Sequence, residues 1–351
     1  MRRGRVLTVM VFLAAAAAAQ HSGPLVVGTA SATPGQVASG AIAVPAGVDA
    51  AASIPVTVIR GAKPGPVLAL VSGAHGTEYA SIIALEKLIG KVHPADLAGS
   101  LIVVPLVNVA SFQQKVPHVN PVDNKSMNRF YPGNPQGTQT ERASYLITKQ
   151  VVEQADYLID LHGGDIDENL RPYSYWAPVG KAAQDKTSKE MAMAFGLDTI
   201  IISKDRPADA NASRYLETTA SLRGKPSITA EAGRWARVDT DDVDALVNGC
   251  LGVMSYLHMI ERPVRPVEHA VWIERILTVN SDQEGIFYPT VDRGAYVAAG
   301  AKIGYVTDYA GKTVYEAKAP AAGVVLYICA VPSMAKGGTV ANIGVVAASE
   351  P

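Results

Sequence analysis

Cysteine is scarce in this chain: 351 residues contain two, Cys250 and Cys329. Two thiols so far apart build neither a disulfide scaffold nor a thiolate zinc site, and both are expected to be free and buried. An excess of one charge sign is also missing. Lys and Arg number 31 against 32 Asp and Glu, a formal net charge of -1, so the basic face that a nucleic-acid partner requires is not there. Beyond the first twenty residues no run of about eighteen apolar residues occurs, so no membrane span is expected in the mature chain. What remains is an ordinary globular composition, long enough for one large domain and a small one.

The first nineteen residues stand apart. Met1-Arg2-Arg3-Gly4-Arg5 is basic, and an apolar run ending in Ala14 to Ala19 follows. That order is expected of a secretory signal peptide over residues 1–19, cut near Ala19-Gln20, and of an exported protein in a periplasm or outside the cell. Residues 20–53, rich in Ala, Gly, Ser and Pro, read as a leader with short edge strands. From 54 to 262 strand and helix signals alternate. Residues 79–89 carry apolar side chains at helical spacing, Thr138 and Glu141 form a capping-box pattern opening a helix toward Gln154, 199–202 read as a strand and 240–260 as a long amphipathic helix. The alternation predicts an α/β fold, a mostly parallel sheet with helices on both faces. Pro263 and Pro266 then mark a boundary. Residues 263–351 hold short β-prone runs between turn residues, which predicts a small C-terminal all-β domain.

The chemistry-bearing residues sit where strands end. Residues 66–71 are continuously apolar, as a strand buried on both faces must be, and Val71-Ser72-Gly73-Ala74-His75-Gly76-Thr77-Glu78 follows into the helix at 79. His75 and Glu78 therefore occupy a strand-to-helix loop, the edge of an α/β sheet at which ligands bind. His162 holds the matching place in Asp160-Leu161-His162-Gly163-Gly164. Two His and one Glu are a recurring catalytic zinc set that leaves a fourth position open, so one zinc per chain and hydrolytic chemistry are expected. Asn108, at the tip of another predicted strand, is a candidate substrate contact. The segment 165–176, polar and aromatic, reads as a solvated acidic loop able to wall a pocket, with Arg171 or Tyr173 touching substrate and no metal role for Asp165, Asp167 or Glu168.

Four ordered motifs carry a resemblance. Gly73-Ala74-His75-Gly76-Thr77-Glu78, Met127-Asn128-Arg129-Phe130-Tyr131-Pro132-Gly133, Asp160-Leu161-His162 and Glu231-Ala232-Gly233 resemble the succinylglutamate desuccinylase/aspartoacylase family, within the zinc carboxypeptidase superfamily, from about Ile54 to the C-terminus. The resemblance implies a zinc carboxypeptidase-like fold, a C-terminal domain akin to lipoyl and biotinyl β-domains without a modified Lys312, and hydrolysis of N-acyl amino acids. It also implies Glu231 as general base and acid, and Asn128 with Arg129 as binders of the substrate carboxylate. A guanidinium suits that task because its rigid fork matches a carboxylate. Two positions depart from the family pattern. Ser126-Met127 stands where many relatives carry Asp-Leu, and His118, with Lys115 nearby, stands where relatives often carry an Arg that polarises the carbonyl, which makes His118 a candidate substrate contact.

The reading these features favour is a zinc deacylase acting on a small N-acyl amino acid. Two rivals stand beside it. A carboxypeptidase acting on short peptides or cell-wall stem peptides uses the same metal site, and a binding protein on an inactive hydrolase fold would explain the departures at Ser126 and His118.

Overall fold

The computed structural model describes residues 23–204 and 207–351. The segment expected to be a signal peptide, 1–19, lies outside the described residues.

After a small ribbon of β1 (Leu25–Val27) and β2 (Ala30–Ala32), the chain builds one large sheet. Its strands are β3 (Gln36–Val44), β4 (Ala52–Arg60), β5 (Lys63–Ser72), β6 (Ala98–Val104), β7 (Tyr157–His162), β8 (Glu168–Leu170), β9 (Tyr173–Trp176), β10 (Thr199–Ile202), β11 (Ser227–Glu231) and β12 (Val271–Asn280), continued by C-terminal strands. β6, β5, β7 and β11 run parallel, as do β9, β10 and β12. The two parallel blocks meet at one antiparallel ladder between β9 and β11. Among the described residues six α-helices connect or cover the strands: α1 (Tyr79–Ile89), α2 (Val109–Gln114), α3 (Gln139–Ile147), α4 (Ala182–Phe195), α5 (Leu216–Leu222) and α6 (Thr240–Tyr256).

The apolar run of β5 shows why the sheet is sandwiched. Successive side chains of a strand point to opposite faces. Leu68 and Leu70 join the core beneath α1, α4 and α6, whereas Val67, Ala69 and Val71 join the core beneath α3 and α5. Both layers are buried and apolar. Leu85 of α1 is fully buried among them, and truncating such a leucine to alanine costs about 2–5 kcal/mol.

The expected elements appear with shifted ends. α1 spans 79–89 as read from the sequence, and the capping box of Thr138 and Glu141 opens α3. α3 passes at Thr148 into a wider π turn, Thr148–Val152, where Thr148 Oγ1 donates to the Ser144 carbonyl, a contact that bends helices. α6 stops at Tyr256, short of residue 260, and His258 two residues on takes a left-handed φ of 56°.

One expectation is overturned. Residues 165–176 are not a solvated loop: they contain β8 and β9, and β9 is an interior strand between β10 and β11. Tyr173, Tyr175 and Trp176 are aromatic residues that favour a pleated, half-buried surface, and Asp165 and Ser174 are fully buried.

The C-terminal part adds β13 (Gly285–Pro289), β14 (Tyr296–Val297), β15 (Lys302–Thr307), β16 (Thr313–Lys318), β17 (Gly323–Cys329), β18 (Ser333–Met334) and β19 (Thr339–Val346). β13, β15, β16 and β18 form a separate four-stranded sheet, and a third core containing Phe287, Ile303, Val306, Leu326 and Ile343 lies in this all-β part. The central sheet nevertheless runs on through it. β12 pairs with β10, β19 with β12, and β17 with β19 and β8. Cys250 and Cys329 are both buried and unpaired.

Candidate metal centre and active site

The tip of β5 delivers His75 and Glu78. Gly73 turns the chain with a φ of 69°, and a Cβ on Gly76 would lie 2.2 Å from the Phe112 backbone nitrogen, so only glycine lets the loop lie against α2. Gly76 N–H donates to Ser111 Oγ at 2.9 Å. Asn108 caps α2 by accepting from Ser111 N–H and donates from Nδ2 to the Ala74 carbonyl, both at 3.2 Å. Its polar atoms are thus engaged in holding the loop. Asn108, expected as a substrate contact, is buried and is not among the residues lining the cavity.

Glu78 joins the two imidazoles. His75 Nδ1 is 2.5 Å from Glu78 Oε1, His162 Nδ1 is 2.9 Å from Oε2, and Gly163 N–H donates to Oε2 at 3.1 Å. Burial pushes the Glu78 carboxyl up, but His162 and His75 outweigh it and hold the group well below the usual carboxylate range. Burial acts downward on His162, yet Glu78 and Asp160 lift it well above an ordinary imidazole. A buried carboxylate held between two imidazole nitrogens is a charge arrangement that a divalent cation can take over. One ligand atom from each of His75, Glu78 and His162 lies within 4.8 Å of the others, and among the described residues no other such cluster forms. A tetrahedral zinc with bonds of about 2.0–2.2 Å separates its ligand atoms by roughly 3.5 Å, so small side-chain adjustments suffice and the donor set fits zinc. Each His has an outer partner on Nε2: Ser126 Oγ at 3.2 Å from His75, and Asp160 Oδ2 at 3.4 Å and Asn128 Nδ2 at 3.5 Å from His162.

Strand register brings further residues to the same edge. Glu231 lies opposite His162 on the parallel β7–β11 ladder and opposite Tyr173 on the antiparallel β11–β9 ladder. Tyr173 O–H donates to Glu231 Oε2 at 2.9 Å. Burial pushes the Glu231 carboxyl up to about 7, with His162 opposing and Glu78 adding to the rise.

A cavity of about 850 Å³ opens over these groups. Asn128 and Arg129, in the 3₁₀ turn Met127–Arg129, stand in its wall. The Arg129 guanidinium lies 5.0 Å over the Tyr215 ring and donates to the Asn128 carbonyl, and no carboxylate pairs with it among the described residues. Asn128 Oδ1 is buried without a hydrogen-bond partner among the described residues. β12 contributes Glu274, Arg275, Ile276 and Thr278 to the wall, and β17 and β19 contribute Tyr327 and Asn342.

Residues 64–257 match the succinylglutamate desuccinylase/aspartoacylase catalytic domain. The chain belongs to that family. It is 28% identical over 262 residues to the N-alpha-acetyl-L-2,4-diaminobutyric acid deacetylase of Halomonas elongata, covering 74% of this chain and 75% of that enzyme. Its fold is shared with the ectoine utilization protein EutE (DoeB) from Ruegeria pomeroyi in a product-bound structure, with a TM-score of 0.82, 24% identity, and coverage of 92% of this chain and 98% of the other. A succinylglutamate desuccinylase/aspartoacylase from Rhodobacter sphaeroides gives a TM-score of 0.80 at 22% identity, covering 89% and 96%.

Other sequence-based assignments separate at this site of the family member. His118 is not among the residues lining the cavity, although its ring centroid lies 6.2 Å from that of His75. Its Nε2 is 2.8 Å and its Nδ1 3.3 Å from Asp167 and Asp165, and its backbone N–H donates to Asp165. Burial alone would lower the imidazole, but the Asp167 hydrogen bond and the Asp165 charge lift it to about 9. Lys115 ends α2 in a left-handed conformation and is also absent from the cavity wall. Arg171 bonds Asp198 and Thr199, whereas Tyr173 reaches the cavity. Tyr175, Tyr215 and the β12 residues escaped the sequence reading, and Glu168, weighed there only as a metal ligand, also lines the cavity. For Tyr175 a signal existed, since alternate residues of a strand share a face and 173 and 175 are two apart.

Proposed function

We propose that this chain is a zinc-dependent amidohydrolase of zinc carboxypeptidase-like fold that removes the acyl group of a small N-acyl amino acid. The observation that carries the reading is the row His162, Glu231 and Tyr173 across three adjacent strand tips, beside Glu78 and His75 and in one cavity with the Arg129 guanidinium, which has no carboxylate partner among the described residues. Family membership and the named substrate of the Halomonas relative support the acyl-amino-acid class. His75, Glu78 and His162 would hold the ion, which when bound supplies Lewis-acid activation of water and of the scissile carbonyl. Glu231, with its carboxyl raised to about 7, accepts a proton from the attacking water and passes it to the departing amine, the task for which a pKa near the working pH is suited. Arg129 and the Asn128 amide receive the substrate carboxylate.

A second reading has one observation in its favour. The cavity exceeds the needs of an acetylated amino acid, so cleavage of short peptides ending in a free carboxylate stands as the alternative. Screening the zinc-loaded protein against N-acyl amino acids and short peptides decides between them. In the same assay Glu231→Gln should keep its zinc and lose about 10²- to 10⁴-fold in turnover. Wild-type turnover by that variant at full zinc content would overturn the assignment.

A further inference from the structure

The two loops that carry the candidate ligands are fastened to each other twice. One fastening is at Glu78, whose Oε2 accepts the Gly163 N–H at 3.1 Å and lies 2.9 Å from His162 Nδ1. The other uses no candidate ligand. Thr77, between Gly76 and Glu78, is fully buried, and its Oγ1 donates to Asp165 Oδ1 at 2.5 Å. Asp165 is fully buried as well and stands three residues beyond His162. The rest of its carboxylate is occupied: Oδ1 also accepts the Ile166 N–H at 2.7 Å, while Oδ2 accepts the His118 N–H at 3.0 Å and lies 3.3 Å from His118 Nδ1. Its own loop is closed on itself, Asp165 N–H donating to Glu168 Oε2 at 2.9 Å and Glu168 N–H to the Asp165 carbonyl at 3.0 Å.

Two loops joined at one point can still rotate about it, and a second bond away from that point fixes their orientation. A hydrogen bond to a carboxylate suits the task, being short and about twice as strong as one between neutral groups. Glu78 is the group that a bound cation would claim, whereas Thr77 and Asp165 lie outside the donor set, so their bond does not depend on what Glu78 holds. The loop bearing Asp165 is pinned on its other side to the segment that follows Glu231. Ala236 N–H donates to the Gly164 carbonyl at 3.1 Å, and a Cβ on Gly164 would lie 2.6 Å from the Gly233 carbonyl oxygen. Through Thr77, the loop of His75 and Glu78 is thus held against a segment already fixed beside both His162 and Glu231.

We propose that Asp165 is a positioning residue that acts through the Thr77 hydroxyl, setting the loop of His75 and Glu78 in register with His162 so that the three ligand atoms stand together before the ion arrives. It touches neither the ion nor the substrate. This rests on the zinc reading of the site. Groups that orient metal ligands from behind typically cost about 10- to 100-fold in metal affinity when removed, and that is the effect expected of this bond.

The test measures zinc affinity of the full chain by chelator competition, beside thermal melting of the metal-free protein. Thr77→Val keeps the side-chain shape without the hydroxyl and should bind zinc about 10- to 100-fold more weakly. Thr77→Ser keeps the hydroxyl and should stay close to wild type. Asp165→Asn turns one acceptor into a donor and should also weaken zinc binding, and combining it with Thr77→Val should add little, because both changes act on one bond. An unchanged zinc affinity in Thr77→Val, even with a lowered melting temperature, overturns the proposal, as does a Thr77→Ser variant no better than Thr77→Val or a fully additive double variant. Hydrogen exchange of the metal-free protein reads the fastening without zinc: Thr77→Val should speed exchange in residues 73–78 and 163–168 together, and Thr77→Ser should not. If wild type takes up no zinc yet the two loops loosen together in Thr77→Val, the zinc reading fails and the fastening stands. Loosening of one loop alone, or of neither, overturns the fastening.

Discussion

Replacing Tyr173 by Phe removes one oxygen from the floor of the site and tests how Glu231 is tuned. The phenol donates to Glu231 Oε2 at 2.9 Å, and that bond favours the ionised carboxylate, opposing the burial that raises the group to about 7. Hydrogen bonds to charged groups contribute about 1.5–3 kcal/mol. At 1.36 kcal/mol per pKa unit, the loss should move the Glu231 titration upward by roughly one to two pH units. The sign follows from the role proposed for Glu231. A general base works when deprotonated, so kcat/KM rises with pH through its pKa, and a higher pKa carries the acidic limb of the profile to higher pH. At a pH below that limb, Tyr173→Phe should be about 10- to 100-fold slower than wild type, and the two should converge in alkaline solution. The ring remains, so the edge-on packing against Tyr175 is preserved. A pH profile of kcat/KM for both proteins, with zinc content verified, is the measurement. An acidic limb that stays in place or moves downward refutes the reasoning, because Glu231 would then not be the base that Tyr173 orients.

Two other perturbations probe neighbouring parts. Arg129→Ala should cost roughly 2–5 kcal/mol in kcat/KM on free-acid substrates and little on their amides, and an equal loss on both would assign Arg129 to something other than carboxylate recognition. Ser126→Ala removes the oxygen 3.2 Å from His75 Nε2 and should weaken zinc binding by about tenfold in chelator competition, with Ser126→Asp restoring or tightening it; an unchanged affinity in both would show that the hydroxyl does not orient the ring.

The chain order of the site was legible because its candidate ligands lie at the ends of strands whose apolar runs announce themselves. Val67 to Val71 can only be a strand buried twice, and the glycines on either side of His75 mark where it turns. The neighbours were harder to see. Whether Asn108 faces substrate or caps a helix depends on where its amide finds partners, and those are Ser111 and the Ala74 carbonyl, settled only by packing. His118 likewise sits at the expected place in the order, but its side chain is claimed by two carboxylates nearly fifty residues further on. β9 was hidden by its short length and polar flanks. Its interior place depends on pairing with β10 and β11, which come later in the chain. The C-terminal contribution to the cavity, from Glu274 to Asn342, is a long-range contact of the same kind.

The ladder between β10 and β12 bears on how far this polypeptide can be shortened. Thr199, Ile200 and Ile201 are shielded on one side by Val271, Trp272 and Ile273. A chain ended at the proline pair before β12 would bare a row of unpaired amides and carbonyls along an apolar strand, a template onto which another molecule can add its own strand. β8 would lose β17 at the same stroke. Trimming the tail would therefore yield a sticky, self-associating product with a breached pocket rather than a minimal enzyme.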